Sequence, residues 1–525
     1  MYDIIIIGTG SGGGTIAKKL APSGRRILII ERGDFIPREK DNWDMVKVVT
    51  KGKYRTKEQW VDKNDEPFEP YTHYVVGGNS KMYGAASFRL RDNDFNEVEH
   101  YGGVSPAWPL TAKDFEPYYD EAEQLFSVHG VRGLDPFEPK GIKSLPHPPI
   151  PVEPFTEELY NNIRKLGIRA YPIPMAVKLG QDRPYPEAPT VLENFDGFPD
   201  PSEAKVDAHT SGVRKALEYD NVTLMTNTKA VKLLTDRTGN AVTSVVVEID
   251  GKAEIIPTKL VVLAAGAINS AALLLASGNE LHPNGLANSS NLVGRNYMSH
   301  INGCQIAFTP HKLNTSLFQK YFCIGDYYYA SDLHAWPLGE IQLMGKNDPD
   351  TYLGLGQDYF PGKDADYISK HSIDFWLTSE DLPHPDNRVV LQPDGTIKLI
   401  YHREENNVEA YENLKVKLHN IFKELGRLDP DLREVYWGGY DLGISGVSHQ
   451  CGTLRFGRNP QDSVLDINCK AHDLNNLFVA DASFFPASGA YNPSLTTAAN
   501  ALRVGEFINK NFQEIISIQG KTAVV

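Results

Sequence analysis

Cysteine is scarce. Cys304, Cys323, Cys451 and Cys469 are the four in a chain of 525 residues, too few for a disulfide framework. None stands in C-x-x-C spacing, so no zinc or other metal site is expected. Free thiols in a reducing compartment are the expectation. Basic residues are in deficit, 53 against 67 acidic, which leaves a net charge of −14. That argues against a nucleic-acid backbone or an anionic membrane surface as the main partner. Long apolar runs are missing too. The stretch from Leu260 to Ala276 is broken by Gly266, Asn269 and Ser270, and it reads as strand, tight turn and helix rather than a membrane span. No basic or signal-type segment precedes the first apolar run, so a cytoplasmic location is expected.

What is present points to a globular protein of two or more domains, because 525 residues exceed one ordinary core. Ile4 to Ile7 form a continuous β-branched run, the pattern of a strand buried on both faces. A helix is expected from about Gly13 to Leu20, then a second buried strand from Arg26 to Ile30. Between the first strand and the helix, Gly8, Gly10 and Gly13 fit G-x-G-x-x-G, with Ser11 inside the turn. Such glycines let backbone approach a pyrophosphate whose charge sits at the helix N-terminus. Glu31 ends the second strand, where a carboxylate accepts from a ribose diol and would repel a 2′-phosphate, which disfavours NADP. This β-α-β unit predicts a dinucleotide site and leaves FAD and NAD undivided.

Further along, residues 136 to 204 are proline-rich, including Pro146, Pro154, Pro172, Pro184, Pro186 and Pro189, and irregular crossing chain is expected there. From 301 to 440, alternating segments at Tyr321–Tyr329, His371–Thr378, Asn387–Gln392 and Thr396–Tyr401 predict an antiparallel sheet. A polar helix from about Glu404 to Leu425 is expected to be closed by Gly426. The predicted class is therefore α/β: a Rossmann-like nucleotide-binding domain built from 1–135, 205–300 and 441–525, with an inserted α+β substrate domain on an antiparallel sheet. Residues 136–204 and 301–440 would supply that domain and the crossing segments.

Four more segments bear on the cofactor. They are Gly77-Gly78-Asn79-Ser80-Lys81-Met82-Tyr83-Gly84, LVVLAAGAINSAALLLASG at 260–278, LANSSNLVGRNYMSH at 286–300, and SHQCGTLRFG at 448–457 with NLFVADASFFPASGAYNPSLTTAANALR at 476–503. In this order they resemble the glucose–methanol–choline oxidoreductases. The resemblance is weak over 135–205 and 300–440. It implies FAD, touched by Gly77, Gly78, Asn79, Ser80, Ala265, Gly266, Asp481, Pro493 and Ser494. Asp481, at the end of the strand Leu477 to Ala480, could accept from the ribityl hydroxyls, a turn aspartate being the alternative. Pro493 and Ser494 fit the first turn of a helix, whose N-terminus would favour negative charge on the flavin. Some relatives tether FAD through a histidine in the glycine-pair loop. Here Lys81, Met82 and Tyr83 stand in that stretch, so non-covalent FAD is expected.

The same resemblance implies the oxidation of an alcohol. Such a reaction needs a hydride acceptor, which a flavin supplies, and a base for the hydroxyl proton. His449 falls in the motif for that base, and Asn492 would position the hydroxyl or cap the helix. His300 would pack or hydrogen-bond near the flavin. Aromatic residues at Tyr321, Phe322, Tyr327–Tyr329, Trp336, Phe375 and Trp376 leave room for a sugar-like substrate, with core packing as the alternative. The expected partner is a small-molecule alcohol, a sugar, glycoside or other polyol, together with an unspecified electron acceptor. Three alternatives stay open: a hydroxynitrile lyase with structural FAD, an aryl or alkyl alcohol oxidase, and an NAD-dependent dehydrogenase.

Overall fold

The computed structural model describes residues 1–179, 196–318, 320–354, 360, 363–444 and 449–522. Pro184, Pro186, Pro189 and Ser448 lie outside them. Strand β1 (Ile4–Ile7), helix α1 (Ser11–Leu20) and strand β2 (Ile27–Ile30) open the chain as a β-α-β unit. Both strands are buried along their whole length, which explains the unbroken isoleucine and leucine runs. β3 (Val222–Met225) and β4 (Val261–Leu263) join the same parallel sheet, Ile5 lying opposite Val261 and Leu28 opposite Thr223. Gly266, at φ +86°, turns the chain from β4 into α2 (Ala267–Ala276), the expected strand, turn and helix.

The chain then builds an antiparallel sheet from β5 (Ile301–Phe308), β6 (Glu340–Gly345) and β7 (Ser372–Ser379), with α3 (Val408–Leu428) and β8 (Tyr436–Asp441) following. Its order is β8-β5-β7-β6, extended by the short strands Phe322–Ile324 and Ala170–Pro172. Ile341, Leu343, Phe375 and Leu377 pack on Leu414, Leu418 and Phe422 of α3. The chain returns to the parallel sheet as β9 (Leu477–Val479) beside β4, giving the order β3-β2-β1-β4-β9, and ends in α4 (Ser494–Thr522).

Four expectations need correction. Gly426 does not close α3, which runs to Leu428; a Cβ at Gly426 would fall 2.9 Å from the Leu432 carbonyl oxygen, so this glycine admits the chain that folds back. Arg388–Leu391 and Ile397–Ile400 pair as a hairpin, but in a separate four-stranded sheet with Trp60–Val61 and Pro67–Phe68. Tyr321–Tyr329 is strand only over Phe322–Ile324. The proline-rich stretch is not all irregular either, since Pro154–Lys165 is a helix that accepts Pro154 in its first turn.

Candidate active site

The C-terminal ends of β1, β4 and β9 and the N-termini of α1 and α4 surround a cavity of about 1160 Å³. Gly8, Gly10 and Ser11 reach it from the first turn, and Glu31 from the end of β2. Gly78, Asn79 and Ser80 line it, as do Ala265 and Gly266. Asp481, Asn492, Pro493 and Ser494 line the same space, and so does His449. Gly13 and Gly77 do not. A Cβ at Gly13 would fall 2.0 Å from the Gly8 carbonyl oxygen, so Gly13 serves the packing of α1 on β1.

Side chains tie these pieces together. Thr9 Oγ1 donates to Glu31 Oε2 and accepts from the Gly77 backbone N–H at 3.0 Å, joining the glycine turn, β2 and the glycine-pair loop. Glu31 Oε1 also accepts from the Gly33 N–H at 3.0 Å, and burial pushes its carboxyl up. Asp481 caps the turn at 482–484 through the Ser483 N–H and accepts from the Gly266 N–H, both at 3.0 Å. It is therefore a turn aspartate that also faces the cavity. Ser80 Oγ donates to the Gly77 carbonyl at 2.6 Å and accepts from the Ala208 N–H, so its hydroxyl braces the loop. Lys81 turns away and forms a buried ion pair with Asp207 at 2.8 Å.

The cavity fits a dinucleotide. A Cβ at Gly10 or Gly266 would meet nothing within 4 Å, so both turns leave space for a ligand against bare backbone. α1 carries no side-chain cap, and its N-terminus stays open to an anionic group. Ser11 Oγ and Ser494 Oγ lie 2.8 Å apart, bringing the N-termini of α1 and α4 to one place.

On the cavity wall, Asn492 Nδ2 lies 3.4 Å from His449 Nε2, while Asn492 Oδ1 accepts from Gln342 Nε2 at 2.8 Å. His449 Nδ1 lies 2.9 Å from His300 Nδ1. His300 Nε2 lies 3.3 Å from the Ser488 carbonyl oxygen, which can only accept. His300 therefore carries its proton on Nε2, its Nδ1 accepts from His449, and His449 Nε2 is left unprotonated, an acceptor facing Asn492 Nδ2. Burial, then the neighbouring His300 and Lys320, holds His449 well below the ordinary imidazole value; burial pushes His300 down to about 4. Both rings are neutral near pH 7. His300 itself sits at φ +57°, a left-handed conformation that costs a non-glycine residue stability and recurs at functional sites.

Of the aromatic residues singled out in the sequence, Trp376 lines the cavity; Phe322 and Phe375 are core, and Tyr328 stacks on Tyr491 at 4.3 Å. Tyr71 and Tyr440 line the cavity without having been anticipated. Gln342 and the direct contact of His300 with His449 were likewise not expected.

Two parts of the GMC oxidoreductase family model match the chain, over residues 2–302 and 383–501. The chain is 27% identical to 6'''-hydroxyparomomycin C oxidase of Streptomyces lividus, over 97% of this chain and 91% of that one. It is 26% identical to the fructose dehydrogenase large subunit of Gluconobacter japonicus, over 98% of each. An FAD-dependent oxidoreductase from Chaetomium thermophilum shares the fold, with a TM-score of 0.65 at 16% identity over 98% of this chain and 100% of that one. Among the described residues no helix is long and apolar enough to cross a membrane.

Proposed function

The chain belongs to the GMC oxidoreductases, FAD-dependent enzymes acting on CH–OH groups, and from that premise we propose that it oxidises a hydroxyl-rich small molecule. The substrate would be a sugar, glycoside or other polyol, with His449 as the base and Asn492 positioning the hydroxyl. The observation that carries this reading is the meeting of His449 Nε2 and Asn492 Nδ2 on the wall that also holds the glycine turn and Glu31. The glycine turn, Glu31 and Ser494 would hold FAD, which would supply the acceptor for the hydride. His449 Nε2, neutral and unprotonated, takes the hydroxyl proton, and the O–H electron pair stays on oxygen as the hydride leaves carbon. Asn492 Nδ2 donates to that oxygen, and its 3.4 Å separation from His449 leaves room for the oxygen to sit against both groups. A polyol is supported by Tyr71, Trp376 and Tyr440 among the lining residues and by fructose in one relative's name.

The FAD is proposed to be non-covalent. Lys81, in the stretch where a tether would stand, points to Asp207, and none of the four cysteines lines the cavity.

The test is an anaerobic screen of sugars, glycosides, aryl alcohols and choline for bleaching of the yellow protein. A sugar or polyol should bleach it without added NAD or NADP. A flavin that no alcohol reduces would favour a lyase, and selective bleaching by aryl alcohols would replace the polyol reading. His449→Ala should slow reduction by about 10²–10⁴-fold while FAD stays bound. Asn492→Ala should cost about 1–3 kcal/mol of transition-state stabilisation. The two losses should not add in the double mutant, because both groups act on one oxygen.

A further inference from the structure

Behind Asn492 stands a polar pair that the proton transfer does not itself use. Glu340 and Gln342 alternate along β6 and so project to one face of the sheet, and both are fully buried. Gln342 Nε2 sits between two oxygens, donating to Asn492 Oδ1 at 2.8 Å and to Glu340 Oε1. An amide NH2 has two donors, and both are used here. Because Gln342 occupies Asn492 Oδ1, Asn492 presents Nδ2 to His449. The far end of the run is anchored by the Ser488 carbonyl, which only accepts. Every hydrogen bond from Gln342 through Asn492, His449 and His300 to Ser488 therefore points the same way.

We propose that Gln342, held by Glu340, is a positioning residue for the alcohol oxidation: it keeps the Asn492 NH2 toward the substrate oxygen and His449 Nε2 free to accept the proton. This rests on the reading of His449 as base and Asn492 as hydroxyl-positioning group. Burial pushes Glu340 up to about 8, against the pull of Gln342, Arg91 and Lys320, with Asp135 also raising it. Near neutral pH it holds a proton and serves as an uncharged acceptor, a part that glutamine could also play.

The decisive variant is Gln342→Glu in the FAD-loaded enzyme. Once ionised, the introduced carboxylate can only accept. Asn492 would then turn its NH2 toward residue 342 and its oxygen toward His449 Nε2, and because Nδ1–H stays committed to His300, that contact is satisfied only by a second proton taken up on Nε2, which removes the base. Flavin reduction, measured with an alcohol that bleaches the wild type, should fall on the order of 10–100-fold relative to the wild type at pH 10, above the value of about 8 to which burial lifts the neighbouring Glu340. It should recover as pH falls through the titration of the new carboxyl. The other groups that act on this region are Glu340, Arg91, Lys320 and Asp135 on one side and His449 and His300 on the other.

A readout independent of turnover is the histidine-selective 15N spectrum, in which bare and protonated ring nitrogens resonate far apart. The His449 Nε2 signal, assigned with His449→Ala, should change from bare to protonated in Gln342→Glu at pH 10. Gln342→Leu should lose reduction rate with no recovery at low pH. Glu340→Gln should restore most of what Glu340→Leu loses. FAD content and Tm separate these effects from misfolding. Wild-type reduction and a wild-type histidine spectrum in Gln342→Glu at pH 10 would overturn the proposal, provided His449→Ala and Asn492→Ala remain impaired. If those two variants are themselves unimpaired, the reading beneath it fails instead.

Discussion

At the scale of single residues, the pair His449 and His300 determines how the chemistry should respond to pH. A base must be unprotonated to act, so activity is present above its folded-state pKa and lost as pH falls through it. Burial and the neighbouring His300 and Lys320 hold His449 well below the ordinary imidazole value of 6.5. The acid limb of kcat/KM should therefore lie well below pH 6.5, and the profile should be flat through neutrality. Measuring kcat/KM from about pH 4 to pH 9 with the best substrate checks this. A limb at or above 6.5 would mean that His449 is not the titrating base. His300 is more than a packed histidine: its contact with the Ser488 carbonyl selects the tautomer of the ring beside it.

At the scale of elements, the loop at 77–84 is held by a buried charge pair rather than by its glycines alone. Burial by itself would raise the Asp207 carboxyl, but the Lys81 ammonium 2.8 Å away holds it below its ordinary value. Removing one partner strands a buried charge. Lys81→Met should cost about 3–5 kcal/mol, and Lys81→Met with Asp207→Asn, which removes the charge but keeps the Oδ1 that accepts from the His209 and Thr210 N–H groups, should recover much of that. Denaturant midpoints of the three variants check it; a double mutant no more stable than Lys81→Met would point to packing instead. This element also shows where sequence reasoning stops. The glycine turn, Glu31 and the strand, turn and helix at 260–276 were legible because each is a local signal, a change of period punctuated by glycine. Gly426 misled for the same reason: glycine after a helical run is a stop signal, and only the chain folding back at Leu432 gives it another purpose. Gln342 was illegible for a different reason. Glu340-Ile341-Gln342-Leu343 alternates polar and apolar residues like a strand with one wet face. That face is dry because the segment carrying Asn492, far along the chain, covers it.

At the scale of the whole molecule, the cavity wall is drawn from segments near residues 8, 31, 78, 265, 449, 481 and 493, which come together only in the folded chain. A ligand filling it binds the native state and not the unfolded one. Such a ligand adds stability that grows with its free concentration, about 2.7 kcal/mol at 100 times Kd. Covalent and non-covalent FAD then make opposite predictions. If Lys81, engaged with Asp207, leaves the cofactor untethered, protein stripped of FAD should melt at a lower temperature. Its Tm should climb steadily as FAD is added back, and acid precipitation of the loaded protein should leave the yellow colour in the supernatant. A tethered cofactor would leave the colour in the pellet and make Tm indifferent to added FAD. The two measurements fail independently: colour in the supernatant with an unmoved Tm would mean that FAD binds without holding the separated segments together.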